Sequence, residues 1–169
     1  MPSCGGRFPS GADVCTTSAV NAHFGAGADW HVWFGTKTSP IRVHVLFADA
    51  GGYLMVDGTG ILAGFWDRLD KRFVVDIAGF GGYVEVHAGM SLEVGLRFSP
   101  FHVSGHYHGD YSGGAGVRAF GHDFGISIGG WVDFSVEAPD PIRVCGAVGV
   151  HIGMPNWVPD IDESVGLCI

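Results

Sequence analysis

The chain has 169 residues, of which 47% are hydrophobic and only 15% are charged, and 29 of them are glycines. This length suits one domain with a core, and the low charge predicts a surface partly covered by other protein or by lipid. The formal net charge of −8 disfavours a nucleic-acid partner, because no basic stripe exists to neutralise phosphates.

The beginning of the chain shows no recognisable targeting signal. It lacks the basic and apolar segments of a signal peptide, and no apolar run in the sequence has the length of a transmembrane helix. We therefore expect a cytoplasmic chain, or a domain of a longer protein. The cysteines form two near pairs, Cys4 with Cys15 and Cys145 with Cys168. Paired as disulfides they would indicate an extracellular location, and reduced thiols are the alternative.

The first third of the chain shows short strand patterns after an irregular start. Residues 1–18 are rich in Gly, Ser, Thr and Pro, which predicts an irregular N-terminal arm. Alternation of apolar and polar residues then predicts strands, because successive side chains of a strand point to opposite faces. These segments are residues 19–24, 29–34, 41–47 and 53–56.

Residues 61–72 are the one candidate for a helix. Their larger apolar residues recur at the i, i+3, i+4, i+7 spacing of one helical face. These are Leu62, Phe65, Trp66 and Leu69. Gly60 and Gly64 weaken this prediction, but a short helix is favoured over a loop.

The longest regular pattern extends from Gly81 to Glu137. Apolar residues take every second position between Tyr83 and Phe98, which predicts a half-buried strand whose parity from Val84 onward is core. Sixteen residues at ~3.3 Å each would span about 53 Å, so we expect a bulge at Gly89 or Gly95.

The remaining segments complete an all-β fold. Alternation predicts strands over 101–108, 120–136 and 142–152, and residues 153–169 are predicted to form a C-terminal tail. Short turns without helical crossovers indicate an antiparallel meander. The predicted fold is a sandwich or flattened barrel of about eight strands, with at most one short helix near 61–72. It forms a single β domain over residues 19–152.

Three segments carry a resemblance. They are Asp29–Thr36, with a Trp-x-Val-x-x-Gly-Thr pattern, the Pro-led Pro40–Val43, and Gly51–Val56, with Gly-Tyr-Leu-Met-Val. In this order they resemble repeated segments of large bacterial β-rich proteins of unknown function, and Pro100-Phe101 and Pro139–Gly146 fit later elements of that pattern. The resemblance, over residues 29–152, implies an elongated β domain within a longer molecule or assembly, and no catalytic residues.

A row of histidines is the best candidate for chemistry. In a strand, alternate residues from His102 to Asp110 share one face, and polar residues of the preceding strand could join them across the Ser99-Pro100 turn. Imidazole and carboxylate together suit a divalent transition metal. The candidate ligands are His102, His106, His108, Asp110, His87 and Glu85. A solvated or hydrogen-bonded histidine row is the alternative.

No catalytic motif is recognisable, so we predict no enzyme activity. The leading interpretation is a structural β module that self-assembles into an oligomer or filament, or stacks within a larger β assembly. The alternative is a metal- or small-ligand-binding barrel that uses the histidine row. A third is an outer-membrane-type barrel, because aromatic residues lie near predicted strand ends. Expected partners are copies of the same chain or neighbouring β domains, and no cofactor is expected beyond the metal of the second interpretation.

Overall fold

The computed structural model describes residues 6–7, 13–15, 20–25, 30–37, 40–77, 80–120, 122–155 and 157–169. In this part of the chain twelve strands occur, and their bounds are β1 (Gly6–Arg7), β2 (Asp13–Cys15), β3 (Val20–Phe24), β4 (Trp30–Phe34), β5 (Ile41–Val45), β6 (Ala48–Asp57), β7 (Gly60–Ile77), β8 (Phe80–Phe98), β9 (Phe101–Ala119), β10 (His122–Ala138), β11 (Arg143–Gly153) and β12 (Ile161–Cys168). None of the described residues forms a helix, so none supplies a helical membrane span.

The strands form one antiparallel sheet. Its main path is β1-β2-β5-β6-β7-β8-β9-β10-β11-β12, so every strand from β6 onward pairs with its neighbours in sequence. Strand β5 pairs with the first half of β6, and β4, which also pairs with β3, takes the second half. The predicted all-β antiparallel meander is confirmed. The described residues contain more strands than the eight expected, and they do not close the sheet into a barrel.

The helix predicted near 61–72 does not form, because this segment lies inside β7. Strand β7 pairs with β6 on one side and with β8 along its whole length on the other, so both neighbours satisfy its backbone groups. Leu62 and Trp66 point to one face of the sheet while Phe65 and Leu69 point to the other. The helical spacing of these residues is therefore compatible with a strand that is apolar on both faces.

Strand β8 is longer and more regular than expected. It has 19 residues and pairs with β7 and β9 in uninterrupted register, so the bulge predicted at Gly89 or Gly95 is absent. The segments predicted as arm and tail also contribute strands. Strands β1 and β2 lie in the first, and β12 pairs with β11 in the second.

The register divides the sheet into two chemically different faces. Directly opposed residues of neighbouring strands point to the same side of the sheet. Once one side chain is assigned to a face, the register therefore assigns every other strand residue to one of the two faces. We call the side of Val84 the apolar face. A line of opposed residues on it is Phe73, Val84, Ala115, Ile126. The other side, which carries Glu85, is the polar face.

The apolar face is the more exposed of the two. From Phe80 to Gly95 of β8 its residues are exposed while their neighbours on the polar face are half-buried, and Val84 and Leu92 are 50% and 46% exposed. The prediction that this parity forms the core is therefore wrong. The buried residues in the described part are glycines and one proline: Gly35, Pro40, Gly51, Gly109, Gly114, Gly129, Gly130 and Gly149. None of the described strands forms a second layer over this sheet.

The polar face is compact because large rings lie over glycines of neighbouring strands. The Tyr53 side chain crosses Gly64 to reach Glu93, and a Cβ added at Gly64 would lie 2.4 Å from the Tyr53 ring. In the same way a Cβ at Gly149 would lie 2.3 Å from the indole nitrogen of Trp131. Glycine is therefore required at both positions by close approach of a side chain, whereas an apolar residue there would displace the ring.

Candidate functional site

Imidazoles and carboxylates alternate in a row across the polar face. Two register pairs place its ends, since Asp70 of β7 lies opposite His87 of β8, and His108 of β9 lies opposite Asp133 of β10. Asp110 of β9 lies between these pairs. We call this set the His–Asp row, and its members are Asp70, His87, Asp110, His108, Asp133 and His106.

His87 has a carboxylate at each ring nitrogen. Its Nδ1 atom lies 2.6 Å from Oδ1 of Asp70, and its Nε2 atom contacts Oδ2 of Asp110. Only the charged imidazolium can donate both hydrogen bonds. The hydrogen bond to Asp70 is the main cause of the raised pKa of His87, and it also lowers the pKa of Asp70. The site therefore favours the protonated form of His87 beside an ionised Asp70.

His108 has a similar but looser arrangement. Its Nδ1 atom lies 2.9 Å from Oδ1 of Asp133, and its Nε2 atom lies 3.5 Å from Oδ1 of Asp110. Nε2 of His106 lies 3.5 Å from the same Asp133 oxygen. The row thus links four adjacent strands by contacts between imidazoles and carboxylates.

The structure brings together four of the six predicted metal ligands. His87, His106, His108 and Asp110 belong to the His–Asp row. Oε2 of Glu85 instead lies 3.9 Å from Nη1 of Arg72, and His102 lies opposite Arg97 in the neighbouring strand. In the described residues no three His, Cys, Asp or Glu side chains are grouped so as to hold a metal ion. Metal binding by these residues stays a prediction.

Asp70 and Asp133 were not among the candidate residues of this row in the sequence analysis. Neither residue lies near the histidines in sequence, and only the pairing of β7 with β8 and of β9 with β10 brings them there. The parity of each strand was available as a signal. The register between strands, which decides which carboxylate faces which imidazole, was not.

A second polar cluster ties β6 to β8. The Tyr53 hydroxyl donates a hydrogen bond to Glu93, and Nζ of Lys37 lies 2.8 Å from Oε2 of the same carboxylate. The bonds from Lys37 and Tyr53 lower the pKa of Glu93. Burial, followed by the contact with Glu93, raises the pKa of Tyr53. This cluster is a structural cross-link between strands, since both Lys37 and Tyr53 bind the Glu93 carboxylate.

A disulfide fixes the C-terminal edge of the sheet. Cys145 of β11 and Cys168 of β12 are register partners and are joined covalently. The predicted pairing of Cys4 with Cys15 lies outside the described residues. The edge strand is thus held by its ladder and by one covalent bond.

The apolar face is the largest uniform surface of the described sheet. On β8 and β9 all of its positions are apolar or tyrosine, from Phe80 to Phe98 and from Phe101 to Ala119. Charged residues occur at three of its strand positions in the described sheet: Asp67 and Lys71 on β7, and Glu163 on β12. Such a continuous exposed apolar surface marks an interaction site in a folded protein.

Comparison of this chain with protein-family models, curated proteins and solved structures finds no match.

The His–Asp row predicts that the protein becomes less stable as the pH rises above neutrality. A histidine with a raised pKa contributes stability that is fully present below its ordinary pKa of 6.5 and is lost as the pH rises through the raised value. We expect the urea midpoint, at one fixed protein concentration, to decrease between about pH 6 and pH 9, and His87→Gln to reduce this decrease.

His102→Gln is the matched control for that measurement. It removes an imidazole from the same face, and the described residues include no carboxylate paired with His102. This variant should keep the wild-type pH dependence. Equal pH dependence in His87→Gln and the wild type would contradict the assignment. The lowered pKa of Asp70 affects stability in the acid range. The stability that Asp70 contributes is lost as the pH falls below about 3.8.

Proposed function

We propose that this protein is a structural β module that self-assembles by burying its apolar face against the same face of a second copy. One observation carries the proposal. The apolar face is continuous from β3 to β12 and exposed, while no side chain in the described part is fully buried. A sheet needs a second layer against its apolar side, and here a second copy would supply that layer.

The available area is sufficient for a stable interface. The four central strands, β7 to β10, have 17 to 19 residues each. With strands ~4.8 Å apart and ~60 Å long, their apolar face covers ~1,100 Å² per copy, compared with ~800 Å² per partner in a standard interface. At ~25 cal/mol per Å² of apolar surface, burial of this size is a strong driving force for association.

Two features favour protein over lipid as the cover. An apolar face ~60 Å long exceeds the ~30 Å hydrocarbon thickness of a bilayer even when the strands are tilted by about 45°. In addition, Asp67 lies opposite Met90, near the middle of β8, so its carboxylate would lie deep in the hydrocarbon. Charged side chains at that depth are unfavourable, whereas a protein interface can supply a partner of opposite charge.

Light scattering coupled to gel filtration tests the proposal. The chain has a mass of 17.8 kDa, and we expect a species at twice that value or at a higher even multiple in detergent-free buffer. The species should dissociate on dilution, as a non-covalent assembly does. A monodisperse monomer at ~10 μM would contradict self-assembly, because an interface of this size should hold below that concentration. Protein that dissolves only with detergent would also contradict it and would favour a lipid cover.

A further inference from the structure

We propose that the second copy crosses β7 in antiparallel orientation, with a two-fold axis at Leu69, so that Asp67 of each copy pairs with Lys71 of the other. This inference rests on the proposed self-association and adds the orientation of the two copies. It follows from the positions of the charges on the apolar face and from the symmetry of a face-to-face pair.

The two charges occupy the centre of an otherwise apolar surface. Strand β7 is the fifth of the ten strands in the main path of the sheet, whereas Glu163 lies on the edge strand β12. Asp67 and Lys71 have opposite signs, lie four residues apart and point to the same face. Leu69 lies midway between them.

Each charge has weak partners in the monomer. Oδ1 of Asp67 accepts a hydrogen bond of 3.1 Å from the backbone nitrogen of Met90. Nζ of Lys71 lies 5.6 Å and 5.5 Å from the ring centroids of Phe47 and Phe73. Among the described residues neither charge forms an ion pair within the chain. If the apolar face is covered, both charges lose water, and an opposite charge from the covering copy becomes the partner that each requires.

Symmetry selects one arrangement. A two-fold axis that runs parallel to the strands above β7 would place each β7 residue against the same residue of the second copy. Asp67 would then face Asp67, and Lys71 would face Lys71. An axis in the interface plane and perpendicular to the strands reverses the strand direction, so that residues equally far before and after Leu69 face each other. Asp67 then faces Lys71, and the symmetry creates the pair twice. Face-to-face sheets lie ~10 Å apart, a gap that two long side chains bridge.

The same axis matches large residues with small ones along β9, whereas on β8 it joins both large–small and large–large pairs. Leu69 lies opposite Ala88 of β8, and Ala88 lies opposite Tyr111 of β9. On β9 the axis therefore brings Tyr107 against Ala115, and on β8 it brings Val94 against Gly82. Interdigitation of large and small side chains is the packing that a dense interface requires. On these strands no like charges are brought together.

A charge-reversal cycle tests the arrangement. The variants are Asp67→Lys, Lys71→Asp and the double variant, and sedimentation equilibrium measures the dissociation constant of each. Each single reversal places two like charges at both symmetric contacts, and we expect the dissociation constant to rise at least ~10-fold. The double variant restores both opposite-charge pairs at the wild-type net charge, and its dissociation constant should return to within ~3-fold of the wild type.

Glu137→Lys is the matched control. It makes the same change in net charge as Asp67→Lys but lies exposed on the polar face of β10. Its dissociation constant should equal that of the wild type. If the wild type associates but the single reversals have no effect, or if the double variant is not rescued, the orientation is wrong and self-association stands. If the wild type does not associate at any accessible concentration, the proposed function itself fails.

Discussion

Ile128→Glu is expected to dissociate the assembly, whereas Ser127→Glu, one residue away, leaves it intact. The two residues are neighbours on β10, so their side chains point to opposite faces of the sheet. Ile128 is 63% exposed on the apolar face and lies opposite Gly113 and Ile152. The comparison therefore separates the two faces with the same added charge.

The size of the expected effect follows from desolvation. In a symmetric pair each copy would bury one carboxylate in an apolar contact, and an unpaired buried charge costs several kcal/mol. A rise of about 100-fold in the dissociation constant corresponds to about 2.7 kcal/mol, and we expect at least this rise. Light scattering over a dilution series measures it.

Ser127 offers room for the control substitution. Its register partners are glycines, Gly114 and Gly153. The Glu85 side chain lies over Gly114, so a longer side chain at position 127 extends over Gly153 toward His151. Circular dichroism should show the same strand content for both variants and the wild type. Equal association of the two variants would contradict an interface on the apolar face. Loss of association in Ser127→Glu alone would assign the interface to the polar face instead.

The double variant Cys145→Ala/Cys168→Ala is expected to lower the free energy of unfolding by about 3 kcal/mol, the loop-closure value for two cysteines 23 residues apart. Among the described strands β12 pairs with β11 alone, and all of its side chains are exposed. Few tertiary contacts therefore replace the covalent bond when it is absent.

Urea unfolding of the double variant and of the oxidised wild type measures this difference at one fixed protein concentration. The wild type in reducing buffer is the control, since it loses the same bond without a change of sequence. Limited proteolysis should cut first near β12 in both reduced forms. An unchanged free energy of unfolding would show that the ladder with β11 alone fixes this edge.

The sequence predicts the strands of the sheet better than it predicts which face they expose. Alternation from Val84 to Phe98 identifies β8 and its two faces, because period two belongs to the strand itself. It cannot say whether the apolar parity meets a second layer of the same chain. The residues that would form such a layer are absent from the described part, so Val84 and Leu92 are exposed instead of buried.

Residues 61–72 show a different limit. Leu62, Phe65, Trp66 and Leu69 fit a helical face, yet in β7 they alternate between both faces of the sheet. The sequence contains a partner, β8, that pairs with all 18 residues of β7, and this tertiary pairing overrides the local pattern.

The candidate site was predictable only in part. His87, His108 and Asp110 lie on the expected polar parity, and the structure brings them into one row. Their carboxylate partners Asp70 and Asp133 come from strands β7 and β10, whose offset depends on the turns that join them. A change of one residue in either offset would point the partner to the opposite face.

The meander has a consequence for how such a chain can grow. In the described part of the chain, each strand from β7 to β12 pairs only with the strands before and after it, so this part of the sheet is a one-dimensional array whose stability approximates a sum of nearest-neighbour terms. Adding one hairpin at the β12 edge would widen the sheet by ~10 Å and leave every existing pair in place. Because the register of the last strand sets the parity of the next, each new hairpin inherits the same outward apolar side. Duplication of hairpins could thus add strands to this sheet without a change in the residues of its two faces.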